Sequence, residues 1–185
     1  MTKESFRFKT FTEQTFKSTS IAWTSDALAG MAFPAEVEQL LSWASDHLSP
    51  IDGQPVAYGV FPTTGKEADA ICEVVVTRQS SRSKWVKMLR VRLRPKIDDA
   101  LNSALDPSNS GMREALAIFI KATIGLLKFS EAEKANTIKV YGRNRQQTDF
   151  LRFLGIELEK VENSPMKAAM EGKFLVVKSI GSVKL

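Results

Sequence analysis

The residue types with the clearest chemistry in this chain are three arginines in an alternating row. In KWVKMLRVRLRPK, residues 84 to 96, Arg90, Arg92 and Arg94 alternate with Leu89, Val91 and Leu93. Side chains alternate across a strand, so one face of this segment is apolar and the other carries three guanidinium groups. Like charges on a covered face are costly without partners. The arginine face is therefore open to solvent, paired with carboxylates such as Glu73, or occupied by an anion. With Arg82, Lys84 and Lys87 close in sequence and Trp85 as a stacking surface, the same hairpin suits nucleic acid. A solvated face laced with cross-strand ion pairs is the alternative reading.

Glu73 is the carboxylate embedded in the apolar run AICEVVV. Burial among apolar neighbours pushes a carboxyl pKa up, which suits a general base. The bland reading is a strand residue that meets solvent or an arginine of the next strand. Cys72, the single cysteine, sits in the same run and reads as a small buried hydrophobe. It excludes an internal disulfide framework and fits a reducing cytoplasm. His47 lies near the end of a helical pattern, where a cation suits the helix dipole. With one histidine, no cysteine pair and no G-x-S-x-G motif, neither a metal site nor a serine or cysteine hydrolase is expected.

The elements that would hold these residues can be read in order. SFRFKTFT, residues 5 to 12, alternates as a first strand, and the stretch from 13 to 33 is weakly patterned, with a short helix around 25 to 31. Pro34 opens a helix, PAEVEQLLSWASDHL, with Glu36 and Glu38 in its early turns. Strands follow over 55 to 61, 70 to 77 and 84 to 93, close enough for an antiparallel meander. Residues 95 to 110 are polar and without strong pattern, and a long apolar helix runs from about Met112 to Phe129. Ile138 and Val140 mark a strand. A helix carrying Phe150, Leu151 and Leu154 is then expected to stop at Gly155, before strands over 156 to 161 and 173 to 180.

The segment TIKVYGRNRQQTDFLRFLGI, residues 137 to 156, resembles one in the GNAT acyltransferases. There a strand ends in a short turn with Asn and leads into a helix of the form N-x-x-A-x-x-x-Y-x-x-x-G-F. Asn144, Gly155 and Ile156 fall at the Asn, Gly and Phe positions, while Gln147 replaces a small residue and Leu151 replaces the Tyr. The order of elements resembles that family over nearly the whole chain. The resemblance implies one α+β domain over 1–185, a three-layer α/β/α arrangement with a mixed, mostly antiparallel sheet and helices on both faces. It also implies acetyl-CoA as acyl donor and transfer to an amine.

By the same resemblance, the end of the third meander strand at Leu93 would pair with the pantetheine arm, with Asn144 on that side as well. Gly111 and Arg113, at the entry of the long helix, would meet the pyrophosphate. Glu73 and Tyr141 are the acid/base candidates, because leucine at 151 cannot give a proton. Arg143, Arg145 and Arg152 would serve cofactor phosphates. The alternative is a catalytically inactive module of this fold that binds a nucleic acid, an acidic protein or another copy of itself through Arg90, Arg92 and Arg94.

Composition narrows the setting. With 185 residues the chain is long enough for a self-sufficient core, and a net charge of +5 attracts polyanions without identifying one. No apolar run is long enough to span a bilayer, and MTKESFRFKTFTEQ has no secretory h-region, so a cytoplasmic protein is expected.

Overall fold

A computed structural model describes residues 6–31, 34–51, 53–77, 84–102, 110–143, 145–159 and 166–179. The elements are β1 (Phe6–Thr10), α1 (Glu13–Asp26), α2 (Pro34–Asp46), β2 (Pro55–Pro62), β3 (Ala70–Thr77) and β4 (Trp85–Leu93), then α3 (Pro95–Asn102), α4 (Ser110–Ala132), β5 (Thr137–Tyr141), α5 (Arg145–Glu159), β6 (Met166–Glu171) and β7 (Phe174–Ser179). The strands form one mixed seven-stranded sheet in the order β1-β2-β3-β4-β5-β7-β6. β1–β2, β5–β7 and β6–β7 are antiparallel and β4–β5 is parallel. This is the α+β class that the order of elements implies. The chain groups into two compact units: Met1–Ile51, Pro55–Glu73 and Val91–Gly125 in the first, and Asp52–Gln54, Val74–Arg90 and Leu126–Leu185 in the second.

In the first unit, Thr12 opens α1 with a reciprocal cap. The Thr15 N–H donates to the Thr12 hydroxyl at 3.2 Å, and the Thr12 N–H donates to the Thr15 hydroxyl at 2.9 Å. α1 then runs through the stretch expected to be weakly patterned, because its inward face is only Thr19, Ala22 and Trp23. Ala27–Met31 widens the helix, and Gly30 breaks it at φ 83°. α2 buries Val37, Leu40, Leu41 and Ala44 at helical spacing. With Phe11, Trp23, Phe61 and Ile71 they form a contiguous core. Phe8 stacks on Tyr58 at 5.0 Å.

The polar segment after β4 is not patternless. Pro95 starts α3, Ile97 is buried, and the N–H groups of Ile97 and Asp98 donate to the Arg94 carbonyl.

In the second unit the apolar face of the sheet is Ile138, Val140, Leu175 and Val177, all buried. α5 carries Leu151 into that core. The expected helix stop at Gly155 and strand from Ile156 are corrected here. α5 continues to Glu159, Ile156 is exposed, and β6 begins only at Met166, while Lys160 and Val161 lie outside the described residues. Gly155 is helical, and a Cβ there would stand 3.0 Å from Leu175 Cδ1. Its glycine serves close helix–sheet packing, not a left-handed cap.

Gly125 in α4 tests such packing in the first unit, since a Cβ would collide with Phe8 Cβ. Helix propensity alone favours alanine there by about 1 kcal/mol, whereas overpacking costs about 1–3 kcal/mol. Gly125→Ala is expected to lower the urea midpoint without changing the slope, and a raised midpoint would show that no close approach exists.

Candidate functional site

The densest polar arrangement lies in the first unit, where the loop after β2 enters β3. Ala68 is fully buried and both its backbone groups are bonded to α1. Its N–H donates to the Thr19 hydroxyl at 3.0 Å, and its carbonyl accepts from Trp23 Nε1 at 2.8 Å. The next residue is fixed as well, for the Asp69 N–H donates to the Val60 carbonyl and the Asp69 carbonyl accepts from the Arg94 N–H. The Arg94 guanidinium reaches Asp26 Oδ2 from Nε at 2.6 Å and Glu67 Oε2 from Nη1 at 2.7 Å. One arginine thereby ties the end of β4 to α1 and to the loop.

The Asp69 side chain is half-buried, and burial pushes its carboxyl above the ordinary range. Lys121 of α4 pulls it back down, Glu114 raises it further, and Arg94 and Lys96 lower it. A carboxyl with a raised pKa holds a proton more readily than an ordinary one and is a candidate proton acceptor. Sequence reasoning passed over Asp69 as the last residue of a loop. The available signal was its place directly before a buried strand.

The residues singled out from sequence are distributed as follows. Glu73 is half-buried in β3, and Leu93 is half-buried at the end of β4. Gly111 is buried and Arg113 exposed in the first turn of α4. Arg92 pairs with Glu36 of α2 at 2.9 Å, Arg94 is held by Asp26 and Glu67, and Arg90 is exposed. Arg92 and Arg94 are thus ion-paired, but with carboxylates of α1, α2 and the loop where cross-strand partners were expected. Lys84 pairs with Glu133 at 2.6 Å. Cys72 is buried and its thiol is pushed far up, so it is inert. His47 stacks on Trp43, with its Nδ1 2.6 Å from the Trp43 carbonyl.

In the second unit, Tyr141 ends β5 with its ring 5.0 Å from that of Phe174. Asn144 and Arg82 lie outside the described residues. The Gln147 side chain accepts the Arg143 N–H at 3.0 Å, which gives the larger residue a role at the entry of α5. Leu151 is wholly buried. Arg145 and Arg152 both face Asp149. The parallel ladder pairs Trp85 to Met88 of β4 with Thr137 to Val140 of β5. The ladder ends at Met88 and Val140, although β5 reaches Tyr141 and β4 reaches Leu93, so the strands part beyond that pair.

Among the described residues no group of His, Cys, Asp and Glu could hold a metal ion, and no helix is long and apolar enough to cross a membrane. No protein-family model matches the chain, and no curated protein matches it. Among solved structures it is similar to a GNAT family acetyltransferase from Brucella melitensis in complex with acetyl-CoA, at 10% identity over 96% of this chain and 90% of that one, with a TM-score of 0.42. It is also similar to an acetyltransferase of the GNAT family from Staphylococcus aureus Mu50, at 5% identity over 96% and 100% of the two chains, TM-score 0.46. A putative acetyltransferase of that family from Desulfovibrio desulfuricans matches at 8% identity over 96% and 99%, TM-score 0.43. Likeness at this level bears on neither activity nor ligand.

Two outcomes are expected from this geometry. Arg94→Ala leaves two carboxylates without their shared partner and is expected to cost about 2–3 kcal/mol in urea unfolding. Arg94→Lys recovers only part of that, because one ammonium cannot span both carboxylates, and full recovery would contradict the forked geometry. Asp69 has a folded pKa raised above its unfolded value of 3.8, so its stabilising contribution is complete below that value and is lost as pH rises through the folded pKa. Asp69→Asn should therefore gain stability relative to the native chain as pH rises from below 3.8, with the gain levelling off once pH has passed the folded pKa. A difference that stays constant with pH would refute this assignment.

Proposed function

We propose that this chain binds an acyl-CoA thioester and transfers the acyl group to an amine. The observation that carries the reading is the parting of the parallel strands β4 and β5 after Met88 and Val140. Backbone on the continuing side of such a parting can pair with an extended, amide-bearing arm as it would with another strand. The pantetheine arm has that chemistry, and the backbone from Leu89 toward Leu93 is where it would bind. Gly111 and Arg113, in the first turn of α4, are suited to the phosphates, since a helix N-terminus with a glycine and a nearby guanidinium favours anions. Asn144 is assigned to the pantetheine side on resemblance alone.

When bound, the thioester supplies a carbonyl carbon open to attack by an amine. Backbone N–H groups would polarise that carbonyl. The amine must lose a proton, and the carboxyls of Glu73 and Asp69 are the candidates to take it. The raised pKa favours Asp69. Leu151 has no proton to give and is sealed in the core, so the departing thiolate would draw its proton from solvent.

Calorimetric titration with acetyl-CoA tests the reading. Micromolar binding that weakens at least about tenfold in Arg113→Ala, a loss of about 1.4 kcal/mol, is the expected result. Absence of binding by a protein that is folded by circular dichroism would sink it.

A further inference from the structure

The register of the second unit places a set of side chains on the sheet face opposite its apolar one. Lys87 is the direct neighbour of Lys139, and Trp85 of Thr137. Across β7, Thr137 faces Lys178, Lys139 faces Val176 and Tyr141 faces Phe174. β6 adds Lys167 beside Lys178 and Glu171 beside Phe174. Directly opposed residues share a face, so four lysines and three aromatic rings stand together with Glu171 as the carboxylate among these positions. The alternate residues, including Ile138, Val140, Leu175 and Val177, are buried on the other face. There Gly155 of α5 packs against Leu175 and Ala168.

This face differs from the arginine row in what neutralises it. Arg92 and Arg94 are matched by carboxylates, whereas among the described residues the lysines at these positions outnumber the one carboxylate, Glu171. Glu171 is shared by Lys139 at 3.5 Å and Lys178 at 3.6 Å, distances at the loose end for an ion pair. The Lys87 ammonium lies 3.8 Å from the centre of the Trp85 ring. Lys87 is also less inclined to carry its charge, first because of burial and then because Lys139 repels it. Like charges placed directly opposite destabilise a sheet, and that cost is relieved when a polyanion docks. Trp85, Tyr141, Phe174, Lys87 and Lys139 are half-buried, Val176 opposite Lys139 is buried, and Lys167 and Lys178 are exposed.

We infer that this sheet face docks single-stranded nucleic acid, with backbone phosphates on Lys87, Lys139 and Lys178 and bases stacked on the Tyr141–Phe174 pair and on Trp85. Lysines interleaved with aromatic rings on one sheet face match that occupant on both counts. Phosphates meet the charge, and the π-faces of unpaired bases meet the rings. An acidic protein segment would use the charge and leave the rings idle. A second copy of the chain would set lysine against lysine.

The test is fluorescence anisotropy with a labelled dodecamer of uridine across a salt series, on the full chain. Binding is expected to weaken with salt, and each phosphate contact removed by Lys139→Ala or Lys178→Ala should reduce the logarithmic slope by about 0.7. Tyr141→Ala should weaken binding roughly 10- to 100-fold and leave the slope unchanged. Lys178→Glu, at an exposed position, gives a charge variant that does not threaten folding. The inference is overturned if the folded protein does not bind the oligomer or if these variants bind like the native chain. It is equally overturned if a duplex or polyglutamate of matched charge competes as well as the oligomer, or if sedimentation shows the face closed by self-association.

Discussion

A buried loop must find partners for every backbone N–H and carbonyl it carries from water, and at Ala68 and Asp69 that demand organises the first unit. Four backbone groups in succession are met by a threonine hydroxyl, an indole N–H, the carbonyl of Val60 and the N–H of Arg94. The partners come from three stretches of chain: α1, β2 and the residue that follows β4. α1 therefore cannot slide along the core without abandoning Ala68, and β4 cannot end elsewhere without releasing Asp69. The side chain of Arg94 repeats the bond of its own backbone, gripping Asp26 of α1 and Glu67 of the loop. Asp69 gains its unusual carboxyl as a by-product. The backbone bonds leave it no freedom to withdraw into water, and burial acts on a group that is held in place.

That network explains which parts of the structure were legible in the sequence. α2 could be read because four apolar residues recur at helical spacing, and β2, β3 and β5 because their apolar residues cluster or alternate. α1 was hidden because it buries Thr19 and an indole that must be bonded, and threonines and serines look like loop in a linear reading. α3 was hidden for want of a long apolar stripe. Gly155 was misread because glycine has two uses, a positive φ angle and close approach, and only the neighbouring sheet shows which applies. β6, with Met166, Ala168, Ala169 and Met170, has none of the β-branched residues that announce a strand, and its pairing comes from β7.

The sites were legible to a different degree. Sequence alone required that the arginine row find partners, solvent or an anion. It could not supply Asp26, Glu36 and Glu67, which lie 68, 56 and 27 residues away from the arginines they bind. The lysine face was less visible still. Lys87, Lys139 and Lys178 belong to three separate strands, and their adjacency exists only in the register. Charge in a sequence is a sum, whereas charge on a sheet is a pattern: Arg92 and Arg94 each meet a carboxylate, while Lys139 and Lys178 share one.

The order β5-β7-β6 carries a consequence for how the chain is assembled. β6 precedes β7 in sequence, yet it joins the sheet only through β7, which lies between it and β5. During synthesis β6 emerges first, with no edge to join. Its place exists only once the following hairpin turn at Gly172, with its φ of 62°, has been made and β7 has paired. Until then Leu175 and Val177 have not arrived to meet α5, and the apolar side of that helix is exposed. β7 is thus the strand through which β6 reaches the rest of the sheet, and it also brings Leu175 against Gly155 of α5.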